Sequence, residues 1–288
     1  MALSKKIGVD VGRATATVYV RGEGVVVHEP SQARAGPGLG GALPDLVRRA
    51  QGFQRLFKPE LMICVSPEVP RIVRCALTEA AIDAGARQAW LIEEPLAAAI
   101  GAGLPIEESA GVLVCDIGAG STEIAVLSRS GTVVTRTLPV GGIDLDRAIA
   151  IRLHGRLGVR LDDRAAEAAK LAAGAALPLE PPLVASVEGH EVTSTELATA
   201  MEPVLEAVAA EVAGVLEEAP GGLVGELRSR GLTLTGGGAK LRGIDGFMAT
   251  RLGLPVHVAA DPETCVARGA GLALERLEVV KRGQLYAR

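Results

Sequence analysis

Aromatic residues are scarce in this sequence, which contains three Phe, two Tyr and one Trp among 288 residues. The hydrophobic fraction is nevertheless 48%, so a core must be built almost entirely from Val, Leu, Ile and Ala. Aliphatic side chains of this kind suit layers of strands and helices, and the composition therefore favours an α/β protein. The length allows one large domain or two ordinary ones.

Cysteine is also rare, and long hydrophobic runs are missing. The four cysteines lack the spacing of a zinc site or a disulfide framework, so we expect free thiols in a reducing compartment. The N-terminal residues contain no hydrophobic run, and no stretch approaches ~18 uninterrupted apolar residues, so neither a signal peptide nor a membrane span is predicted. We therefore expect a cytoplasmic protein. The cysteines are Cys64, Cys75, Cys115 and Cys265.

Two further absences limit the ligands that the chain can bind. The formal net charge is −4, and nucleic-acid-binding proteins usually carry a basic excess, so no nucleic-acid partner is expected. The sequence contains no G-x-x-x-x-G-K-[ST] motif, which excludes a P-loop nucleotide site.

The chain does contain an internal repeat. Residues 6–15 (KIGVDVGRAT) and 112–121 (VLVCDIGAGS) each consist of an apolar strand, an Asp, an apolar residue, a Gly, a short turn and a hydroxyl residue. Each segment continues into a second β-rich stretch. The repeat therefore predicts one hairpin used twice.

The repeated turn has the chemistry of an anion site. A strand that ends in Asp-x-Gly places a carboxylate beside a turn whose backbone N–H groups can approach an anion, because Gly has no Cβ. Two such turns facing each other could hold a polyphosphate, while Asp10 and Asp116 hold its Mg²⁺ through water. A single Asp-x-Gly would be weak evidence, but two in matched context favour a nucleotide phosphate.

The rest of the chain alternates between strands and helices, which indicates a mainly parallel sheet in each half. Residues 31–44 are rich in Gly and Pro and predict a loop. The last helix should return to pack against the first half. Expected helices span 43–53, 71–85, 94–103, 163–174, 194–216, 239–252 and most of 262–279, with another beginning near residue 144. Expected strands beyond the two hairpins span 60–65, 88–92, 232–235 and 256–259, with a small pair within 183–192.

Two of these junctions carry further candidate residues. Three glycines, residues 236–238, join a strand to a helix, where the backbone can lie close to a ligand. Glu93 and Glu94 precede Pro95 at the start of a helix, where acids are stabilised by the helix dipole. A functional alternative is that one of these glutamates orients a water for attack on a phosphate.

Together these motifs resemble the superfamily of sugar kinases, heat-shock chaperones and actin. Segments LIEEPLAAAIGAGL (91–104), PETCVARGAG (262–271) and GVVVHEPS (24–31) narrow the resemblance to the MreB family of rod-shape-determining bacterial actins. The resemblance implies an α/β, actin-like (ribonuclease H-like) fold with duplicated domains and a nucleotide cleft between them. Domain I would comprise residues 1–107 and 266–288, and domain II residues 108–265, with a small subdomain at about 162–192. Between Pro30 and Leu56 most of subdomain IB is absent.

The resemblance also implies roles for individual residues, with ATP or ADP and Mg²⁺ as cofactors and a slow ATPase activity. Asp10 and Asp116 would hold the metal through water, and Glu94 would be the catalytic, water-activating acid. Glu167 and Lys170 would contact the ribose, although alone they would pass for a solvated ion pair. The adenosine would be bordered by Gly236, Gly237 and Gly238. The phosphates would be lined by Gly12, Arg13, Ala14, Thr15, Gly118, Gly120 and Ser121.

Two residues in the phosphate turns differ from the family pattern. Arg13 stands where the family has a small hydroxyl residue, and Ala119 replaces a Gly. A fixed cation at position 13 could add charge-assisted contacts to phosphate, or it could crowd the site and slow turnover. The sequence alone leaves both alternatives open.

A basic amphipathic segment lies between the first hairpin and the strand at 60–65. Leu46, Ala50 and Phe53 are expected to pack in the core. Leu56 and Phe57 resemble the loop through which MreB proteins touch the membrane, and core packing is the alternative for them as well.

The resemblance implies a filament-forming cytoskeletal protein with a role in cell shape or intracellular organisation. Its expected partners are other copies of itself, an anionic membrane surface at the inner face of the cell membrane, and cell-shape proteins. Two alternatives remain from the sequence. One is a non-polymerising actin-like chaperone or assembly factor similar to EutJ, and the other is a degenerate ATP-binding scaffold.

Overall fold

The computed structural model describes residues 4–31, 38–52, 57–108, 111–129 and 131–277. Its centre consists of two five-stranded mixed sheets with the same topology. The first sheet has the order β3-β2-β1-β4-β5, in which β1 pairs antiparallel with β2 and parallel with β4. Its strands are β1 (Lys6–Val11), β2 (Thr15–Val20), β3 (Gly24–Pro30), β4 (Glu60–Val65) and β5 (Gln88–Glu93).

The second sheet repeats this arrangement strand for strand. Its order is β12-β11-β6-β7-β8, where β6 pairs antiparallel with β7 and parallel with β11. The predicted duplication is therefore confirmed at the level of topology. The strands that follow the first sheet are β6 (Val112–Ile117), β7 (Thr122–Ser128), β8 (Gly131–Leu138), the separate hairpin β9 (Val184–Val187) and β10 (His190–Thr193), β11 (Leu232–Thr235) and β12 (Val256–Val258).

Helices cover both sheets. In the described chain they are α1 (Gly38–Gln51), α2 (Arg71–Asp83), α3 (Glu94–Gly101), α4 (Gly142–Leu157), α5 (Asp163–Ala173), α6 (Ser194–Glu218), α7 (Gly221–Arg230), α8 (Ile244–Leu252) and α9 (Cys265–Ala273), with 3₁₀ turns at Gly237–Lys240 and Pro262–Thr264. Helix α1 begins inside the predicted loop at 31–44, and α8 begins later than the predicted residue 239 because a 3₁₀ turn precedes it.

Helix α1 packs on the first sheet through its apolar face. Leu43, Leu46, Val47 and Ala50 are buried there, so the core prediction is confirmed for Leu46 and Ala50. Phe53, also predicted in the core, and Leu56, predicted to contact the membrane, lie outside the described residues. Phe57 is described and is 43% exposed.

The last helix returns to the first sheet, as expected. Helix α9 packs against β1, β4 and α3. The approach is close enough to require glycine, since a Cβ on Gly101 would lie 1.9 Å from the carbonyl oxygen of Cys265, and one on Gly269 would lie 1.8 Å from that of Ala97. Small residues in α3 and α9 therefore let the two helices pack backbone to backbone, and α3 also contacts β6 and β7 of the second sheet.

Two further expectations concern the cysteines and the membrane. The four cysteines are free thiols, and Cys64, Cys115 and Cys265 are buried. Within the described residues, no helix combines the length and the apolar character that crossing a membrane requires.

Candidate functional site

The two repeated turns have the same backbone geometry. The Gly12 N–H donates to the carbonyl oxygen of Thr15 at 2.9 Å, and the Gly118 N–H donates to that of Ser121, also at 2.9 Å. Each turn follows the Asp of its own β-strand, β1 or β6. The first turn comprises Gly12, Arg13, Ala14 and Thr15, and the second comprises Gly118, Ala119, Gly120 and Ser121.

The turns also face each other. A Cβ built on Gly120 would lie 2.6 Å from Cδ and 3.0 Å from Nη1 of Arg13. The Arg13 side chain therefore crosses from the first turn onto the backbone of the second. The structure thus brings together the two segments that the sequence repeat singled out.

A cluster of carboxyl groups lies behind the turns. Glu94 at the start of α3, Asp116 at the end of β6 and Glu123 on β7 each offer an oxygen, and these oxygens lie within 4.8 Å of one another. Asp10 interacts electrostatically with the same group. The carboxylate cluster, as we call Asp10, Glu94, Asp116 and Glu123, draws on both sheets.

Crowding and burial make these carboxyl groups hold their protons tightly. Burial, followed by repulsion from Asp116 and Glu123, raises the pKa of Asp10 to about 7. Burial raises the pKa of Asp116 to about 6, and burial with repulsion from Asp116 raises the pKa of Glu123 to about 7. The pKa of Glu94 lies well above its usual range, chiefly because of burial and then because of Glu123. A bound cation would relieve this repulsion.

Hydroxyl groups orient two members of the cluster. Thr235 Oγ1 donates to Asp116 Oδ1 at 2.6 Å, and Ser121 Oγ donates to Glu123 Oε1 at 3.0 Å. No role for Thr235 or Glu123 was predicted from the sequence. The signal for Glu123 was present in the hairpin, because it pairs directly with Asp116 across the strands.

The structure separates the two candidate glutamates at the start of α3. Glu94 faces the cluster, whereas Glu93 is buried with its Oε1 3.6 Å from Nη2 of Arg74. Arg74 also donates to the carbonyl oxygens of Pro67 and Val69. Glu93 therefore belongs to a buried ion pair, and Glu94 is the glutamate available to a ligand.

The three consecutive glycines have different environments. Gly236 has φ = 81°, and its Cβ would lie 2.4 Å from the carbonyl oxygen of Ile117, so a side chain is excluded there. A Cβ on Gly238 would lie 2.3 Å from Cγ2 of Ile117. At Gly237 no atom of the described residues lies within 4 Å of the added Cβ. Gly236 and Gly238 thus hold this turn against β6, while Gly237 faces open space.

Helix α4 holds the second turn from behind. The N–H groups of Gly142 and Ile143 donate to the carbonyl oxygens of Gly118 and Ala119 at 3.0 and 2.8 Å. The approach is tight, because a Cβ on Gly141 would lie 2.6 Å from the Gly118 oxygen. Gly141 was not singled out from the sequence.

Lys170, expected at the ribose, binds this same helix start. Its Nζ lies 2.7 Å from Asp146 Oδ1 and donates to the carbonyl oxygen of Gly142 at 3.0 Å. Glu167 is exposed one turn earlier on α5. The ribose roles of Glu167 and Lys170 stay predictions, and the structure adds that Lys170 braces the helix that supports the second turn.

The donor set fits a hard divalent cation. Oxygen ligands from carboxyl groups are those that Mg²⁺ prefers, and Mg²⁺ usually keeps several waters while binding one or two carboxylates and substrate phosphates. Glu94, Asp116 and Glu123 supply such oxygens beside two turns whose backbone could receive phosphates. The residues present therefore fit a phosphate–metal pair.

Comparison with known proteins gives a consistent result. The chain matches the family model described as MreB/Mbl protein over residues 41–282. The cell shape-determining protein MreB of Escherichia coli K12 is 34% identical over 329 aligned residues, which cover 96% of this chain and 95% of that protein. The cell shape-determining protein Mbl of Bacillus subtilis is 28% identical and covers 98% and 99% of the two chains.

A solved structure shows the same fold. The crystal structure of MreB5 of Spiroplasma citri bound to ADP superposes with a TM-score of 0.84 at 25% identity, covering 96% of this chain and 97% of that one. The expected actin-like fold is thus confirmed. The expected absence of most of subdomain IB is consistent with the connection from β3 to β4, in which the described residues form helix α1. By family model, sequence and fold, the chain belongs to the MreB/Mbl family.

Proposed function

We propose that this chain is a nucleotide-binding, actin-like cytoskeletal protein with a role in cell shape. The observation that carries the proposal is the pair of matched turns facing each other in front of the carboxylate cluster. The related MreB and Mbl sequences are those of cell shape-determining proteins, which supports the role in cell shape. The superposed MreB5 structure holds ADP, which supports nucleotide binding.

The nucleotide would lie between the two halves. Backbone N–H groups of the two turns would receive the phosphates, and the open face at Gly237 would border the adenosine. Asp10 and Asp116 would hold Mg²⁺ through water, and Mg²⁺ supplies neutralisation of the phosphate charge when it is bound. The proposed domain boundaries, 1–107 with 266–288 and 108–265, place this cleft between the sheets, and the packing of α9 on the first sheet supports them.

Glu94 is the residue proposed to assist hydrolysis. Its carboxyl group lies at the N-terminus of α3 and points into the cluster, where it can accept a hydrogen bond from a water beside the terminal phosphate. A carboxyl whose pKa lies above its usual range is also a stronger base toward that water. Thr235 and Ser121 orient Asp116 and Glu123, whereas Glu94 and Asp10 have no hydroxyl donor among the described contacts.

The alternatives from the sequence are not favoured. A non-polymerising chaperone of the EutJ type or a degenerate scaffold would not explain why the family model and the curated relatives are those of cell shape-determining proteins. Self-association and binding to the inner face of the membrane through Leu56 and Phe57 form part of the proposal, and cell-shape proteins are the proposed partners.

Calorimetric titration of the purified chain tests the proposal. We expect ADP and a non-hydrolysable ATP analogue to bind, more tightly with Mg²⁺ than with EDTA. Asp116→Ala should weaken the Mg²⁺-dependent part while leaving the fold intact. If the folded wild-type chain binds neither nucleotide with Mg²⁺ present, the proposed function is wrong.

A further inference from the structure

Arg13 places a positive charge between the two phosphate turns. Its residue position belongs to the first turn, and its side chain reaches the second, where only the absence of a Cβ on Gly120 leaves room for Cδ and Nη1. Ala119 and Gly120 are small, so the second turn does not push the guanidinium out of the gap.

The guanidinium has no anionic partner from the described part of the chain. Among the described residues, the contact found for the Arg13 side chain is the approach to Gly120, and no hydrogen bond or ion pair involves it. The neighbouring carboxyl groups do not pair with Arg13. Besides burial, the interactions that shift the pKa values of Asp10, Asp116 and Glu123 come from other carboxyl groups and from hydroxyl groups. Arg13 is also exposed, so its charge is accessible to a ligand that enters from solvent.

A guanidinium group at this position favours the binding of phosphate. Guanidinium is planar, remains charged at any physiological pH, and presents a fork of N–H donors that matches two phosphate oxygens. The backbone of both turns supplies further N–H groups for the same anion. Without the positive charge of Arg13, a polyphosphate that enters this gap would be repelled by the carboxylate cluster behind it.

We infer that Arg13 is a specificity-determining residue that binds the phosphate chain of the nucleotide and makes part of the affinity independent of a divalent cation. The inference rests on the proposed nucleotide function. It resolves the alternatives left by the sequence in favour of charge-assisted contact over crowding.

The test compares ligands with and without phosphates. Wild type, Arg13→Thr and Arg13→Lys would be titrated with ADP, with a non-hydrolysable ATP analogue and with adenosine, each in EDTA and in Mg²⁺. Because a hydrogen bond to a charged group is worth about 10- to 100-fold in affinity, we expect Arg13→Thr to lose about that factor for both phosphate ligands in EDTA. The loss should be smaller in Mg²⁺, and adenosine binding should not change.

Two variants control the comparison. Arg13→Lys keeps the charge without the fork and should fall between wild type and Arg13→Thr. Arg160→Thr removes an exposed Arg in the connection between α4 and α5, and it should leave all affinities unchanged. Thermal unfolding of each variant verifies that the fold is intact.

Each remaining outcome has a definite meaning. Unchanged or tighter phosphate binding by Arg13→Thr would overturn the inference, and tighter binding would show crowding instead. An equal loss for adenosine would also overturn it, because the role would then be structural. If wild type binds the phosphate ligands only with Mg²⁺, the inference is overturned, because no part of the affinity is then independent of a divalent cation. If wild type binds no nucleotide at all, the proposed function itself has failed.

Discussion

Asp116 is 5% exposed, and its carboxyl group lies next to those of Glu94 and Glu123. Burial shifts its pKa from the ordinary 3.8 to about 6. A carboxyl with a higher pKa in the folded chain binds more protons when folded, so stability decreases as pH rises between these two values and stays lower above them. Ionisation of Asp116 in the ligand-free protein should cost about 3 kcal/mol of stability at neutral pH.

Asp116→Asn should therefore stabilise the ligand-free protein at pH 8. Asn keeps the oxygen that accepts from Thr235 but carries no charge, so the gain should approach about 3 kcal/mol. At pH 4, where the wild-type carboxyl is already protonated, the two proteins should be nearly equally stable. Urea unfolding in EDTA at both pH values measures the difference. Asp83→Asn, at an exposed position on α2, is the control, and an equal gain at both pH values for Asp116→Asn would contradict the electrostatic explanation.

Glu94 and Glu93 differ in what they contact, so their variants should differ in what they change. Glu94→Gln should lower the rate of phosphate release from ATP by about 10²-fold or more, the scale of losing a general base, while nucleotide binding persists. Glu93→Gln weakens the attraction to Arg74. It should therefore lower the free energy of unfolding and leave the turnover rate unchanged. The two readouts are a phosphate-release assay and urea unfolding. Equal slowing of turnover by both variants would show that Glu94 has no special role.

At this scale the sequence predicted the residues that belong to local motifs. Asp10, Asp116 and the turn glycines follow from a repeat within ten residues, and the structure brings the two turns together, while the roles of these residues toward a ligand stay predictions. The contact of Arg13 with Gly120 depends on how the two halves meet, and the partnership of Lys170 with Asp146 depends on how α5 crosses α4. Neither spacing nor composition encodes those distances.

The triple-glycine turn shows at the level of an element how one motif divides its tasks. Gly236 and Gly238 press against Ile117 of β6, so the turn is anchored to the strand that carries Asp116. Gly237 between them has free space. A motif that appears uniformly ligand-directed in the sequence therefore contains two packing positions and one open position.

Substitutions in this turn should separate stability from binding. Gly236→Ala combines a positive φ with a backbone clash and should destabilise the protein by about 1–3 kcal/mol or more. Gly237→Val has room at its Cβ and should fold normally, but its side chain should reduce adenosine affinity. Thermal unfolding and calorimetry with adenosine test the pair. Unfolding by Gly237→Val would contradict the open space at this position, and unchanged adenosine affinity of the folded variant would mean that the nucleoside binds elsewhere.

Other elements show where sequence patterns were insufficient. Helix α7 has the sequence GGLVGELRSR, whose three glycines disfavour a helix, and no element was expected there. Helix α1 begins in a predicted Gly/Pro loop. In α7 Leu227 is fully buried, and in α1 Leu43 and Val47 are fully buried, so tertiary packing outweighs local propensity in both.

For the whole molecule, the two halves share a topology but differ in what connects their strands. In the second half, α4, α5, β9, β10, α6 and α7 lie between β8 and β11, whereas the described connection between β3 and β4 contains α1. Actin-like filaments grow by a head-to-tail contact that does not close. Because stable interfaces bury ~800 Å² per partner, a shortened first half should weaken this contact.

The surface around Phe57 could compensate by holding subunits on a membrane. Phe57 is 43% exposed and is followed by exposed Lys58. The basic residues of α1 contribute less than their number implies, because Arg48 pairs with Asp45, and Arg49 pairs with Glu29. The expected membrane contact is therefore mainly apolar, with Leu56 as its second predicted residue.

We predict little polymer in lipid-free buffer at micromolar protein, and short filaments or sheets on anionic vesicles with ATP. Confinement to a surface raises the effective concentration and can offset a weak longitudinal contact. Phe57→Ser should abolish co-sedimentation with anionic vesicles while leaving thermal unfolding unchanged, whereas Ile151→Ser, at a 74% exposed position on α4, should not. Electron microscopy of the same samples shows whether filaments or sheets form. Abundant filaments without lipid would show that the shortened first half suffices for the longitudinal contact. Vesicle binding by Phe57→Ser at the wild-type level would show that Phe57 does not contribute to membrane binding.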